Sequence, residues 1–284
     1  MTNHPDPGRA DARVEPRGWR ARLELGFAAR ADRTVLARKH QFGPLTVQRP
    51  FYPEGGSCHC YLLHSPGGVV GGDRLEVAVQ VGEGAHALIT TPGAAKFYRS
   101  AGPRAEQTQR LVVAAGGVLE WFPQENILFS GANLRLHTAV ELAAGARFLG
   151  WEIQCLGRPV VAERFAVGQA DLRLDVRRDG VPLLLERLWL DHGQGLDGPT
   201  GLRGYPITGT LLATGAAAGD LAAVRTHAGV AETRWGATLV GDLLVVRALA
   251  QGSEPVQRLF TTLWGLLRPR LLGRPACLPR IWST

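Results

Sequence analysis

Apolar and polar positions alternate with a period of two along most of this 284-residue chain, the pattern of half-buried β-strands. Arg20-Ala21-Arg22-Leu23-Glu24-Leu25-Gly26-Phe27 alternates in this way, Thr34 to Phe42 gives a second strand before the Gly43-Pro44 turn, and Asp73 to Val81 a third. From Leu75 onward one unit repeats: strand, short glycine turn, strand. The turns centre on Gly84, Gly116, Gly145 and Gly180, at spacings of 32, 29 and 35 residues. Asp179-Gly180 is the strongest hairpin signal among them. A loose period with little shared sequence predicts a mainly β fold of stacked β-layers, β-helix-like or a sandwich scaffold. Two α-helices interrupt it. Ser253 is placed to cap one in which Val256, Leu259, Phe260, Leu263 and Leu267 form an apolar stripe ending before Pro269. The other runs from about Ala216 to Ala228 and stops at Gly229. Each is either a packing element or a docking element for another subunit. Residues 1 to about 17, with Pro5, Pro7, Gly8 and Pro16 among alternating charges, cannot bury a core and are expected to be a disordered tail, leaving 18–284 as a single domain.

Two stretches stand out from the strands. Tyr61-Leu62-Leu63-His64-Ser65-Pro66-Gly67-Gly68-Val69-Val70-Gly71-Gly72-Asp73 runs an apolar strand into four glycines within six residues, and Thr90-Thr91-Pro92-Gly93-Ala94-Ala95-Lys96-Phe97-Tyr98-Arg99 follows about twenty residues later. An ordinary turn needs one glycine, so the backbone here turns sharply or approaches something closely. The loop lacks the Gly-Lys-Ser/Thr of a P-loop and the Gly-x-Gly-x-x-Gly that opens a helix in dinucleotide folds. A bulged β connection without a ligand is the plainer reading.

Composition narrows the class. Thirty-six glycines and eighteen prolines suit a turn-rich β domain. The net charge of +7, from 32 basic and 25 acidic residues, is spread along the chain. No basic stripe with interleaved aromatics marks a nucleic-acid module, and the charge suits an acidic partner protein instead. Four cysteines without paired spacing, no signal-like segment and no run of eighteen apolar residues point to a cytoplasmic protein with reduced thiols and no membrane span.

Two sets of residues could carry chemistry. Cys58, His59, Cys60 and His64 offer soft ligands for zinc or nickel, but on an extended strand Cys58 and Cys60 face one way and His59 the other. Glu186 interrupts the apolar run Leu183 to Leu190, and Glu152 sits similarly between Phe148 and Ile153. A buried carboxylate needs a partner, a cation or water. Arg187 or Arg164 could pair with them; alternatively they line a water-filled passage whose hard, exchangeable ligands hand an ion onward. No nucleophile elbow or His-Glu-x-x-His helix is present, so no catalytic residue is assigned and no enzyme activity expected. Lys96 and Arg99 beside Tyr98 are either an anion site or rim charges near a partner.

The ordered strings His64 to Asp73, Thr90 to Ser100 and Leu119 to Glu125 resemble the urease accessory protein UreD (UreH) family. So do Gly43 to Pro53, Cys155-Leu156-Gly157-Arg158-Pro159 and the terminal Pro279 to Thr284. The resemblance implies a urease maturation factor that binds UreF and the GTPase UreG, docks on apo-urease subunits, and leaves room for a dimer of heterodimers with UreF. It also implies an internal tunnel carrying nickel in transit, with no tightly bound cofactor, and it adds Asp73 to Glu152 and Glu186 as residues of its wall or mouth. The remaining alternatives are a metal-binding enzyme using Cys58, His59, Cys60 and His64, and a purely structural binding scaffold.

Overall fold

The repeated glycine turns become corners of a winding chain. The computed structural model describes residues 18–227 and 232–283, so the expected tail at 1–17 and the proposed helix end at Ala228 and Gly229 lie outside the described residues. The strands in chain order are β1 (Arg20–Arg30), β2 (Arg33–Phe42), β3 (Leu45–Val47), β4 (Cys58–His64), β5 (Arg74–Val81) and β6 (His86–Thr90). Next come β7 (Ala95–Phe97), β8 (Ala105–Val113), β9 (Val118–Phe122), β10 (Asn126–Leu128), β11 (Asn133–Leu142) and β12 (Arg147–Arg158). The last are β13 (Glu163–Arg164), β14 (Gln169–Arg178), β15 (Val181–Asp191), β16 (Ile207–Thr214), β17 (Thr233–Val240) and β18 (Leu243–Ala250).

These strands form two sheets. One has seven strands in the order β15-β14-β11-β8-β5-β1-β2; the other runs β17-β18-β16-β12-β9-β6-β4-β3, with the short strands β7, β10 and β13 attached off this path. Gly84, Gly116 and Gly145, all at positive φ, turn the chain from β5, β8 and β11 of the first sheet into β6, β9 and β12 of the second. The return path passes through β7 and β10, so successive coils stack in parallel register, β5 on β8 on β11 and β6 on β9 on β12. This is the β-helix-like stacking that the spacing of the turns predicts. Gly180 breaks the series: with Asp179 also at positive φ it makes the hairpin between β14 and β15, which are antiparallel.

Two cores result, one on each face of the second sheet. Between the sheets lie residues such as Leu23, Leu25, Val79, Leu111, Trp121, Leu134 and Phe148. Beneath the helix α2 (Ser253–Leu272) lie Leu88, Phe122, Trp151, Val256, Phe260 and Trp264. Burial on both faces explains the near-continuous apolar runs of β12 and β18. Residue 209 must be glycine because Val256 and Phe260 of α2 sit where a Cβ would go, 2.7 and 2.8 Å away.

Three expectations need correction. The run Leu183 to Leu190, apolar enough to suggest burial on both faces, is the sheet-edge strand β15, and Leu185 and Trp189 point to solvent at 55% and 42% exposure. Helix α2 begins at Ser253 with Gly252, not Ser253, at its cap, and it does not end before Pro269. It continues to Leu272, because Arg268 is tied from both sides to Glu54 and Glu120 and because Leu271 and Leu272 pack on the second core. Helix α1 is shorter than expected, Ala218–Thr226. Among the described residues no helix is long and apolar enough to cross a membrane.

Candidate functional site

Register brings together side chains that are far apart in sequence. In the first sheet Glu186 lies opposite Leu174, Leu174 opposite Thr138, and Thr138 opposite Gln109, giving one row across β15, β14, β11 and β8. In the second sheet Glu152 lies opposite Thr210 and Thr210 opposite Arg247, a row across β12, β16 and β18. Side chains alternate along a strand, and both rows project between the sheets, as their neighbours Val140, Phe148 and Val245 do within the core. The rows touch twice. Thr138 Oγ1 bonds to Glu152 Oε1, and the Arg247 guanidinium pairs with Glu186 Oε1.

Glu152, Glu186, Gln154, Thr208, Thr210 and Arg247 line a cavity of about 200 Å³ here, roomy enough for about six waters at bulk volume. Burial pushes the Glu152 carboxyl up to about 7, against the opposing hydrogen bonds from Thr138 and Gln154. Thr138 also lies 2.8 Å from Gln109 Oε1. One hydroxyl hydrogen serves one of these acceptors at a time, so a proton on Glu152 completes the chain from Glu152 through Thr138 to Gln109. Gln109 in turn lines a second cavity of about 250 Å³, bounded by His64 and the loop at Gly67 and Gly68. Glu186 keeps one oxygen, Oε2, buried without a hydrogen-bond partner.

The pairing expected for these carboxylates falls elsewhere. Arg187 bonds Asp171 at 2.7 Å and Arg164 pairs with Asp197, while the cation beside Glu186 is Arg247 and Glu152 has none. Asp73 stands apart from both. Its two oxygens accept the backbone N–H groups of Trp19 and Val70, at 2.8 and 2.9 Å, and so close the glycine loop.

The cysteines and histidines do not converge. Cys58 and Cys60 face the core between the sheets with their sulfurs 4.0 Å apart. The hydrogen bond from Cys60 lowers the Cys58 thiol, while that contact and burial raise Cys60. His59 points the other way and meets Glu54 at 2.7 Å. His64 lines the second cavity, where burial lowers its imidazole against the pull of Asp73. Among the described residues no three His, Cys, Asp or Glu side chains are placed to hold a metal ion together. The sequence reading missed Thr138, Gln109 and Arg247; only Arg247 carried a signal, a lone charge within Leu243 to Ala250.

The glycine loop owes its density to close packing. A Cβ at Gly68 would lie 2.4 Å from the Tyr98 ring and 2.7 Å from the Lys96 carbonyl, and one at Gly71 would meet Ser100. Val69 bridges Phe97, and β7 pairs with β10, so the two marked stretches and the segment after Phe122 stack as successive coils along one side of the winding.

A family model described as UreD urease accessory protein matches residues 20–283. The chain belongs to the UreD family. It is 47% identical over 285 residues to the urease accessory protein UreD of Alcanivorax borkumensis, covering 98% of this chain and 97% of that one. It is 49% identical to that of Alkalilimnicola ehrlichii, covering 98% and 96%, and 49% identical to that of a Pseudomonas putida strain, covering 94% and 95%. The UreD match takes in both cavities and both rows.

Proposed function

We propose that the protein is a urease maturation factor, without catalytic turnover of its own, that passes nickel through its interior to apo-urease. The observation that carries this reading is the facing of Glu152 and Glu186 across one cavity, with Thr138 hydrogen-bonded to Glu152 and to Gln109, which lines a second. Two carboxylates with threonine hydroxyls and water form an incomplete oxygen set, which holds a divalent cation loosely enough to release it. A dedicated site would close a full ligand shell and trap the ion. Membership of the UreD family supplies the urease context. In this reading the chain joins UreF and the GTPase UreG in the cytoplasm, and their assembly docks on the urease subunits, where the nickel stays.

The test is urease activity and bound nickel after co-expression of the urease subunits with UreE, UreF and UreG, with and without this chain. Without it, urease is expected to accumulate as assembled apo-protein; full nickel loading in its absence overturns the maturation role. Within that system Glu186→Gln should fold and assemble but lower activation at limiting nickel by about tenfold, the scale on which metal-site support residues act. Full activation by this variant would leave a structural scaffold as the reading.

A further inference from the structure

We infer that Arg247 is the gate of the carboxylate cavity: its guanidinium stands in for the cargo ion on Glu186 and swings out when a divalent cation enters. The inference rests on the transit reading above and names the residue that controls it.

Arg247 shares a row with Glu152 and Thr210, and its strand neighbour on the same face, Val245, is buried between the sheets. The Arg247 side chain is nevertheless 54% exposed, against 27% for Glu186. The pair therefore closes the mouth of the cavity, with the guanidinium on the solvent side. An ion pair this open is weak and opens reversibly, and the aliphatic stem lets the charged head move to water without leaving the wall. Glu186 offers the incoming ion an oxygen, Oε2, that no other group uses.

Charge balance supplies the gating. With Arg247 in place, the charge of Glu186 is neutralised and is not left unpaired. A dication placed between Glu186 and Glu152 would stand within a few ångströms of the guanidinium, and that repulsion expels it. When the ion moves on, the guanidinium returns to Glu186 and bars the way back. Arg247 is thus a positioning residue that shortens the ion's stay.

The experiment measures Ni²⁺ binding by equilibrium dialysis, with the metal alone as probe, on the full chain purified in complex with UreF. It compares the native protein with Arg247→Met, Arg247→Lys, Glu186→Gln and the Arg247→Met/Glu186→Gln double variant, and follows nickel transfer to apo-urease for each. Arg247→Met should bind Ni²⁺ about tenfold more tightly, as expected for removing one nearby like charge, and should transfer it more slowly. Arg247→Lys should stay near the native values, and adding Glu186→Gln should abolish the gain. If Arg247→Met does not fold, Arg247→Gln carries the same comparison. Unchanged affinity in Arg247→Met, with transfer impaired in Glu186→Gln, overturns the gate and leaves the passage standing. Binding and transfer both unaffected by Glu186→Gln overturn the passage itself.

Discussion

Glu152 and Glu186 face one cavity from opposite sheets, but among the described residues a cation pairs with Glu186 and none with Glu152. The difference has a measurable consequence. Burial raises Glu152 from 4.5 to about 7, so between these values the folded protein binds more protons at this site than the unfolded chain. Stability therefore falls as pH rises from about 4.5 to about 7 and then levels off. Glu152→Gln removes this loss. Its stability relative to the native protein should be greater at pH 8, by up to about 3 kcal/mol, with the gain shrinking to little below pH 5; urea unfolding at the two pH values checks it. A gain that does not change with pH would mean that the Glu152 carboxyl titrates normally. At this scale the sequence showed the two glutamates because each interrupts an apolar run. Thr138 and Gln109 were hidden because a polar residue in an alternating strand is unremarkable until register places it beside a carboxylate. Asp73, expected at the wall or mouth of the passage, accepts two backbone N–H groups that the glycine loop leaves over.

Elements were legible where one face of each is wet. Strands β1 and β5 follow the alternation closely, whereas β2 is exposed along most of its length, and the glycine turns at 84, 116 and 145 are the corners of the winding. Strand β15 deceived because the large apolar residues on its outer face stay exposed at a sheet edge. The end of α2 depends on a tertiary network. Arg268, fully buried, bonds Glu120 at 2.9 to 3.1 Å and Glu54 at 2.7 Å, and Glu120 also accepts the Trp264 indole N–H and bonds His86, each at 2.7 Å. Against the cost of burial, hydrogen bonds from His59 first, then Arg268 and Ser57, hold the Glu54 carboxyl far below the usual carboxylate range. Removing one member strands the others, so Arg268→Ala should cost about 3 to 5 kcal/mol in urea unfolding. A loss under about 1 kcal/mol would show that water reaches the network and replaces the guanidinium.

For the whole molecule, a mainly β stack was readable from the period of the turns, but the pairing of its layers was not, since neighbouring strands lie a full coil apart in sequence. The first sheet is parallel from β1 through β5, β8 and β11 to β14. Its outer face is unusual for a parallel sheet in carrying charge, including Asp171, 1% exposed beneath Arg135, Arg173 and Arg187. Stability in a stack of this kind passes between neighbouring coils. Hydrogen exchange should therefore be slowest in β8, β9, β11 and β12 and fastest at the edge strands β2, β15 and β17. Uniform protection across the sheets would show that the coils unfold only together.

Where each winding adds one strand to each sheet, through β5, β8 and β11 and through β6, β9 and β12, the rows of side chains run along the axis of the stack and work as a ruler. Their length grows only in steps of one strand spacing, about 4.8 Å, whatever is inserted at the corners. The distance between the two ends of such a row is counted in strands, so loops at the corners are free to diverge while the span between them stays the same.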